Sequence, residues 1–201
     1  MRILLTAFDA FGTNAINPTE EILHRFAERK EYGTFTLDTL LLPTSFSRAV
    51  PCALKQMEQV QYDVVLSLGL AAGRKAITLE RVAINCMDAS ISDNDGACPK
   101  EELIVSDGPA AYFATIPNRK IVEAIKPQGI PILISNTAGT FVCNQIFYSL
   151  LHHTSAVGKP IIGFVHVPYA TEQGMGESYF SMPIKELTDA VFKILEELAK
   201  G

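Results

Sequence analysis

Ile130-Pro-Ile-Leu-Ile-Ser-Asn-Thr-Ala-Gly-Thr-Phe-Val-Cys143-Asn-Gln-Ile146 passes from a short apolar run, through a turn containing glycine, into the opening of an apolar-periodic helix. That is a strand-turn-helix unit, and comparable units recur along the chain. Residues 3–7, 36–42, 64–68 and 161–165 read as strands, and residues 19–29 and 46–59 as amphipathic helices. The runs at 64–68, 130–134 and 161–165 are almost continuously apolar, as expected of strands covered on both faces. Strands alternating with helices predict an α/β fold: a three-layer α/β/α sandwich with a mixed, mainly parallel sheet, in a single domain over residues 1–201.

The sheet is expected to become mixed near residues 75–85, a more alternating stretch. After it, the turn-rich Asp93-Asn-Asp-Gly96 closes a hairpin or a projecting loop. Pro117 and Asn118 open a helix reaching about Lys126, and Pro127-Gln-Gly-Ile-Pro131 ends it. Ile184, Leu187, Val191, Ile194, Leu195 and Leu198 recur at helical spacing over residues 183–200, with Ser181 as the expected cap. Residues 169–183, holding Gly174 and Gly176 without apolar periodicity, are expected to form a flap over a cleft.

Apolar residues make up 48% of the chain and charged residues 19%, a globular balance that excludes disordered and collagen-like classes. The net charge of −5 and the lack of a basic cluster argue against nucleic acid or an anionic membrane as partner. Cys52, Cys86, Cys98 and Cys143 are spaced too widely for a disulfide framework and read as reduced thiols. Residues 1–9 suit a buried strand better than a signal peptide, and no segment has the length of a membrane span, so a cytoplasmic protein is expected. No HExxH or paired CxxC pattern appears, so no metal is expected. Gly69-Leu-Ala-Ala-Gly-Arg74 is only half of a phosphate-binding turn.

In open α/β sheets ligands gather beyond the carboxyl ends of strands, which singles out Asp9-Ala-Phe-Gly12, residues 136–143 and His166. Cys143 at a helix N-terminus is placed to form a thiolate, and neighbouring N–H groups are placed to hold an oxyanion; a small buried packing cysteine is the alternative. A histidine inside the apolar run Ile161-Ile-Gly-Phe-Val-His-Val167 needs a polar partner, either a backbone carbonyl or a thiol for which it acts as base. Glu80, read as sharing a strand face with Val82 and Ile84, needs a partner too; orienting His166 is one use, bonding another basic group the other. Phe8 and Phe11 are core anchors or the walls of a small apolar pocket. His152 and His153 are expected at the negative end of their helix, and His24 on the surface.

On Thr6-Ala-Phe-Asp-Ala-Phe-Gly12, Asn17-Pro-Thr19, Gly69-Leu-Ala-Ala-Gly-Arg74, Glu80-Arg-Val-Ala-Ile-Asn85, Asp93-Asn-Asp-Gly96 and Gly108-Pro-Ala-Ala-Tyr-Phe113, the chain resembles the pyroglutamyl peptidase I, or pyrrolidone carboxyl peptidase, family of cysteine peptidases. Ser135-Asn-Thr-Ala-Gly-Thr-Phe-Val-Cys-Asn144 and Gly163-Phe-Val-His-Val-Pro-Tyr169 are the most specific matches. The resemblance implies a cofactor-free triad of Cys143 as nucleophile, His166 as base and acid, and Glu80 orienting His166. It also implies peptides bearing N-terminal pyroglutamate as substrates, cleaved through a thioester. By the same resemblance Phe8 and Phe11 contact the lactam ring and Asn17 bonds its carbonyl. Thr44, Gly69, Leu70, Phe141 and Val142 complete the pocket, and the protein is a homo-oligomer, a dimer or tetramer.

Four positions depart from the family pattern: Leu70 stands in place of glutamine, Ser90 in place of arginine, and Ala7 and Ala72 in place of glycine. The change at Ser90 removes positive charge near the expected site. A non-catalytic or weakly active pyroglutamyl-peptide-binding homologue is therefore the alternative reading. A nucleoside phosphorylase-like enzyme would share the architecture but lacks a convincing phosphate turn.

Overall fold

The computed structural model describes residues 1–12, 16–28, 32–176 and 178–201. Along the chain run β1 (Arg2–Phe8), α1 (Pro18–Ala27), β2 (Thr36–Leu42), α2 (Ala49–Gln59), β3 (Val64–Leu70), β4 (Ile77–Glu80), β5 (Val82–Ile84) and β6 (Ala111–Phe113). They are followed by α3 (Asn118–Ile125), β7 (Ile132–Ser135), α4 (Val142–Thr154), β8 (Ile161–Val167), β9 (Tyr169–Ala170), β10 (Ser181–Met182) and α5 (Ile184–Ala199). The main sheet has the order β2-β1-β3-β8-β4-β7. Its first four strands are mutually parallel, whereas β4 runs antiparallel to β8 and parallel to β7, so the last two strands are reversed. The fold is thus three-layered α/β with a mixed, mainly parallel sheet.

Side-chain alternation along the strands sends residues to two separate cores. Leu5, Leu66, Leu79 and Val165 face α1, α3 and α5, which bury Ile22, Phe26, Ile121, Leu187 and Val191 against them. Leu4, Val65, Ile162 and Phe164 face α2 and α4, which supply Ala53, Ile146, Phe147 and Leu150. Burying each such large aliphatic or aromatic side chain contributes about 1.5–3 kcal/mol, so the sheet is held from both sides. Along β8 the alternation places His166 on the face of Ile162 and Phe164, the side covered by α4.

Several local expectations need correction. Residues 75–85 are two strands rather than one. After Glu80 the chain leaves the main sheet at Arg81, whose N–H bonds the Ser135 carbonyl at 2.8 Å, and β5 then pairs with β6. Glu80 therefore does not share a strand face with Val82 and Ile84. The helix expected from residue 46 begins at Ala49, and the Phe46 N–H ahead of it is received by Asp93 Oδ2 at 2.8 Å. Asp93-Asn-Asp-Gly96 forms a turn closed by the Asp93 N–H on the Ala97 carbonyl, and Asp93 is buried as its pivot.

Ser181 does not cap α5; it lies in β10, paired with Tyr169. The Ile184 N–H is received instead by both carboxylate oxygens of Glu172, at 3.1 and 3.0 Å. In α1, Asn17 Oδ1 accepts the Thr19 N–H at 3.1 Å, with Pro18 at the first helical position. The expected end of this helix, Arg29, lies outside the described residues. His152 and His153 lie in the last turn of α4, as expected, and His152 also bonds the Tyr112 hydroxyl through Nδ1 at 2.9 Å and stacks on Tyr148. No helix among the described residues is long and apolar enough to cross a membrane.

Candidate active site

Gly69 of β3 is the register partner of His166. A β-carbon at Gly69 would stand 2.8 Å from Cys143 Sγ and 3.0 Å from both His166 Cδ2 and Phe164 Cε1. The thiol and the imidazole therefore occupy the space that any larger residue at position 69 would fill. Cys143 arrives as the second residue of α4. Because β7 is reversed relative to β8, it does not come from the carboxyl edge of a parallel strand; residues 136–141 carry the chain across. Their turn is held by the Thr137 N–H on Ser135 Oγ and the Gly139 N–H on Thr137 Oγ1, with Gly139 at φ +78.

Glu80 closes β4 and is fully buried. His166 Nδ1 donates to its Oε1 at 2.8 Å, which fixes the tautomer and leaves the Nε2 side of the ring, the side of Cδ2, next to the thiol. Arg74 stands behind the pair: its Nη1 donates to Glu80 Oε1 and to Thr78 Oγ1, and its Nη2 to the Thr137 carbonyl at 2.8 Å. The first turn of α4 has no side-chain cap, so N–H groups there lack an acceptor from a capping side chain.

Burial pushes the Cys143 thiol up to about 12; the Glu80 carboxylate adds to the rise and Arg74 opposes it. Burial also lowers His166 below the usual imidazole value, against the raising pull of Glu80. Burial alone would raise the Glu80 carboxyl, but the interaction with His166, its hydrogen bond foremost, and the Arg74 guanidinium hold it below the ordinary carboxylate value. The resting site thus contains a neutral thiol, a neutral imidazole and an ionised carboxylate.

A cavity of about 460 Å³ opens beside Cys143 and His166. Phe8, Phe11, Asn17, Thr44, Leu70, Phe141 and Val142 all line it, whereas Gly69, expected in the pocket, is not among its lining and lies against the thiol and the imidazole instead. Phe11 and Phe141 pack with ring centroids 5.9 Å apart, and Phe46 meets Phe141 edge-on at 5.2 Å. Phe8 is both a core residue and a wall. Asn17 is 1% exposed and largely committed: its Nδ2 donates to the Asp9 carbonyl at 3.0 Å while its Oδ1 caps α1. Thr44 is held likewise, through its N–H to Asp9 Oδ1 and its hydroxyl to the Asp9 carbonyl.

Ser90 stands at the cavity wall between Ala89 and Ile91, and Ala72 lines it beside Ala71. The expected flap does not line the cavity through any of residues 169–176 or 178–183, and Glu177 lies outside the described residues. Arg74 escaped the sequence reading. The signal for it was available: a buried carboxylate demands a cation, and the glycine turn at 69–74 ends in one. Among the described residues no group of three or more His, Cys, Asp or Glu side chains is arranged to hold a metal ion.

The model of the family described as pyroglutamyl peptidase matches residues 1–199. A pyrrolidone-carboxylate peptidase of Staphylococcus saprophyticus is 48% identical over 174 residues, covering 86% of this chain and 81% of that protein. One from a Thermoanaerobacter species is 42% identical, covering 100% of this chain and 98% of the other. The crystal structure of Bacillus amyloliquefaciens pyroglutamyl peptidase I superposes with a TM-score of 0.93 at 39% identity, covering 100% of this chain and 97% of that one.

Proposed function

The chain belongs to the pyroglutamyl peptidase family, and from that premise we propose that it hydrolyses N-terminal pyroglutamate from peptides with Cys143 as nucleophile, His166 as base and acid, and Glu80 orienting His166. The observation that carries this reading is the convergence of Cys143 Sγ and His166 Cδ2 over Gly69, with His166 Nδ1 bonded to Glu80 on its far side.

Catalysis starts from neutral partners. As Cys143 Sγ attacks the pyroglutamyl carbonyl carbon, its proton passes to His166 Nε2, and the imidazolium is stabilised by Glu80. Uncapped N–H groups in the first turn of α4 receive the oxyanion. The tetrahedral adduct collapses as His166 returns the proton to the leaving amine, releasing the shortened peptide and leaving a thioester. Water then attacks with His166 as base, freeing pyroglutamate and restoring the thiol.

Phe8, Phe11 and Phe141 enclose the flat lactam, and the polar groups of Asn17, Thr44 and nearby backbone read its N–H and C=O. Proline has the ring without the carbonyl and would leave a buried donor unpaired, so it is rejected. The four free thiols suit a reducing compartment, and we place the protein in the cytoplasm as a homo-oligomer, a dimer or tetramer.

The test is release of a fluorogenic amine from its pyroglutamyl and prolyl conjugates under reducing conditions. Cleavage of the pyroglutamyl conjugate alone, lost in Cys143→Ala, is expected. A folded wild type that binds the conjugate without cleaving it would favour the binding-homologue reading instead.

A further inference from the structure

Arg74 is joined to both halves of the candidate site. Through Nη1 it holds Glu80 Oε1, the same oxygen that receives His166 Nδ1, and Thr78 Oγ1 also donates to that oxygen at 3.3 Å. Through Nη2 the same guanidinium holds the Thr137 carbonyl, in the turn that leads into α4 and Cys143. Ser135 Oγ donates to that carbonyl as well, at 3.1 Å. We propose that Arg74 is a positioning residue for hydrolysis, a planar clamp that sets the Glu80–His166 pair and the Cys143 turn in one geometry. The proposal rests on the triad reading above.

The two arms have separable effects. The arm to Glu80 acts on charge. The charged and titratable groups facing His166 are Glu80 from β4, Cys143 from α4 and Arg74 from the loop after β3, with the neutral hydroxyl of Thr78 beside them. Arg74 neutralises part of the carboxylate's pull, so the imidazole stays an unprotonated base to lower pH. Without Arg74 the pull of Glu80 is unopposed, and His166 takes up its proton at higher pH. The arm to Thr137 acts on geometry, because a shifted turn displaces the sulfur from the reacting carbonyl. Lysine reaches as a point charge but cannot reproduce the two-armed fork.

The experiment follows kcat, KM and the pH profile of pyroglutamyl-conjugate cleavage in wild type, Arg74→Met and Arg74→Lys. For Arg74→Met, kcat is expected to fall about 10- to 100-fold while KM changes by less than about threefold, and the acid limb of kcat/KM moves to higher pH. Arg74→Lys is expected to return the acid limb toward wild type while recovering only part of kcat, and it carries the test if Arg74→Met does not fold. An acid limb unmoved in Arg74→Met overturns the proposal, as does a raised KM with kcat kept, which would make Arg74 a substrate-binding group. If Arg74→Lys alone folds, wild-type kcat in that variant overturns it. A wild type that fails to cleave the conjugate sinks the triad reading itself, a different failure.

Discussion

At the scale of single residues, the governing feature is a buried thiol whose surroundings suppress its ionisation. The thiol of Cys143, pushed up to about 12 by burial and by the nearby Glu80 carboxylate, stays protonated at neutral pH. Inactivation by iodoacetamide, followed through loss of peptidase activity, should therefore accelerate continuously from pH 6 to beyond pH 9. A rate already level below pH 7 would instead mean a preformed thiolate–imidazolium pair and would refute the neutral resting site. Cys143, His166 and Glu80 were legible in the sequence because a helix-opening cysteine, a histidine in an apolar strand and a buried strand carboxylate each demand explanation. Their association came from the family resemblance, and the geometry that joins them was not readable, since it depends on a bare glycine at position 69 and on an arginine that reaches Thr137, 63 residues away.

At the scale of elements, periodicity predicted where helices and strands lie better than how they begin and end. The apolar stripe of α5 was readable, but its cap was not: Glu172 reaches the Ile184 N–H only because the chain between them folds back through the short β9–β10 pairing. A local search for Ser or Asp beside the helix cannot find a carboxylate at that separation. The same limitation applies to the start of α2, three residues later than its periodicity suggests, and to the break between β4 and β5, after which β5 pairs with β6 outside the main sheet. Because the Glu172 carboxylate sits at the positive end of α5, Glu172→Ala should lower the stability of the fold by about 1 kcal/mol. Urea unfolding would reveal this as a lower midpoint. Cleavage of the pyroglutamyl conjugate at 25 °C should be unchanged, as Glu172 does not line the cavity. An unaltered midpoint would show that the carboxylate contributes nothing to the helix.

At the scale of the whole molecule, the layered architecture follows from continuous apolar strands, and the alternating stretch at residues 75–85 marks where the sheet becomes mixed, at β4; that β7 shares the reversal was not legible, because direction is a matter of connection. That reversal puts Glu80 on the flank of β8 and lets one sheet carry His166 and the carboxylate that receives its Nδ1 proton on neighbouring strands. Burying these groups also ties global stability to pH. His166 is lowered in the folded state, so below about pH 6.5 the unfolded chain binds a proton that the folded one does not, and stability falls as pH drops. Glu80 is lowered as well, so its contribution is present above about pH 4.3 and is lost on further acidification. The two windows follow one another and have the same sign. Urea midpoints measured between pH 7.5 and pH 5 should decline in wild type, with a slope from His166 of at most about 1.4 kcal/mol per pH unit. The decline should be shallower in His166→Gln, which cannot take up that proton. Equal slopes in the two proteins would mean that the histidine is not held neutral by the fold, and that the acid limb of activity must be sought in another group.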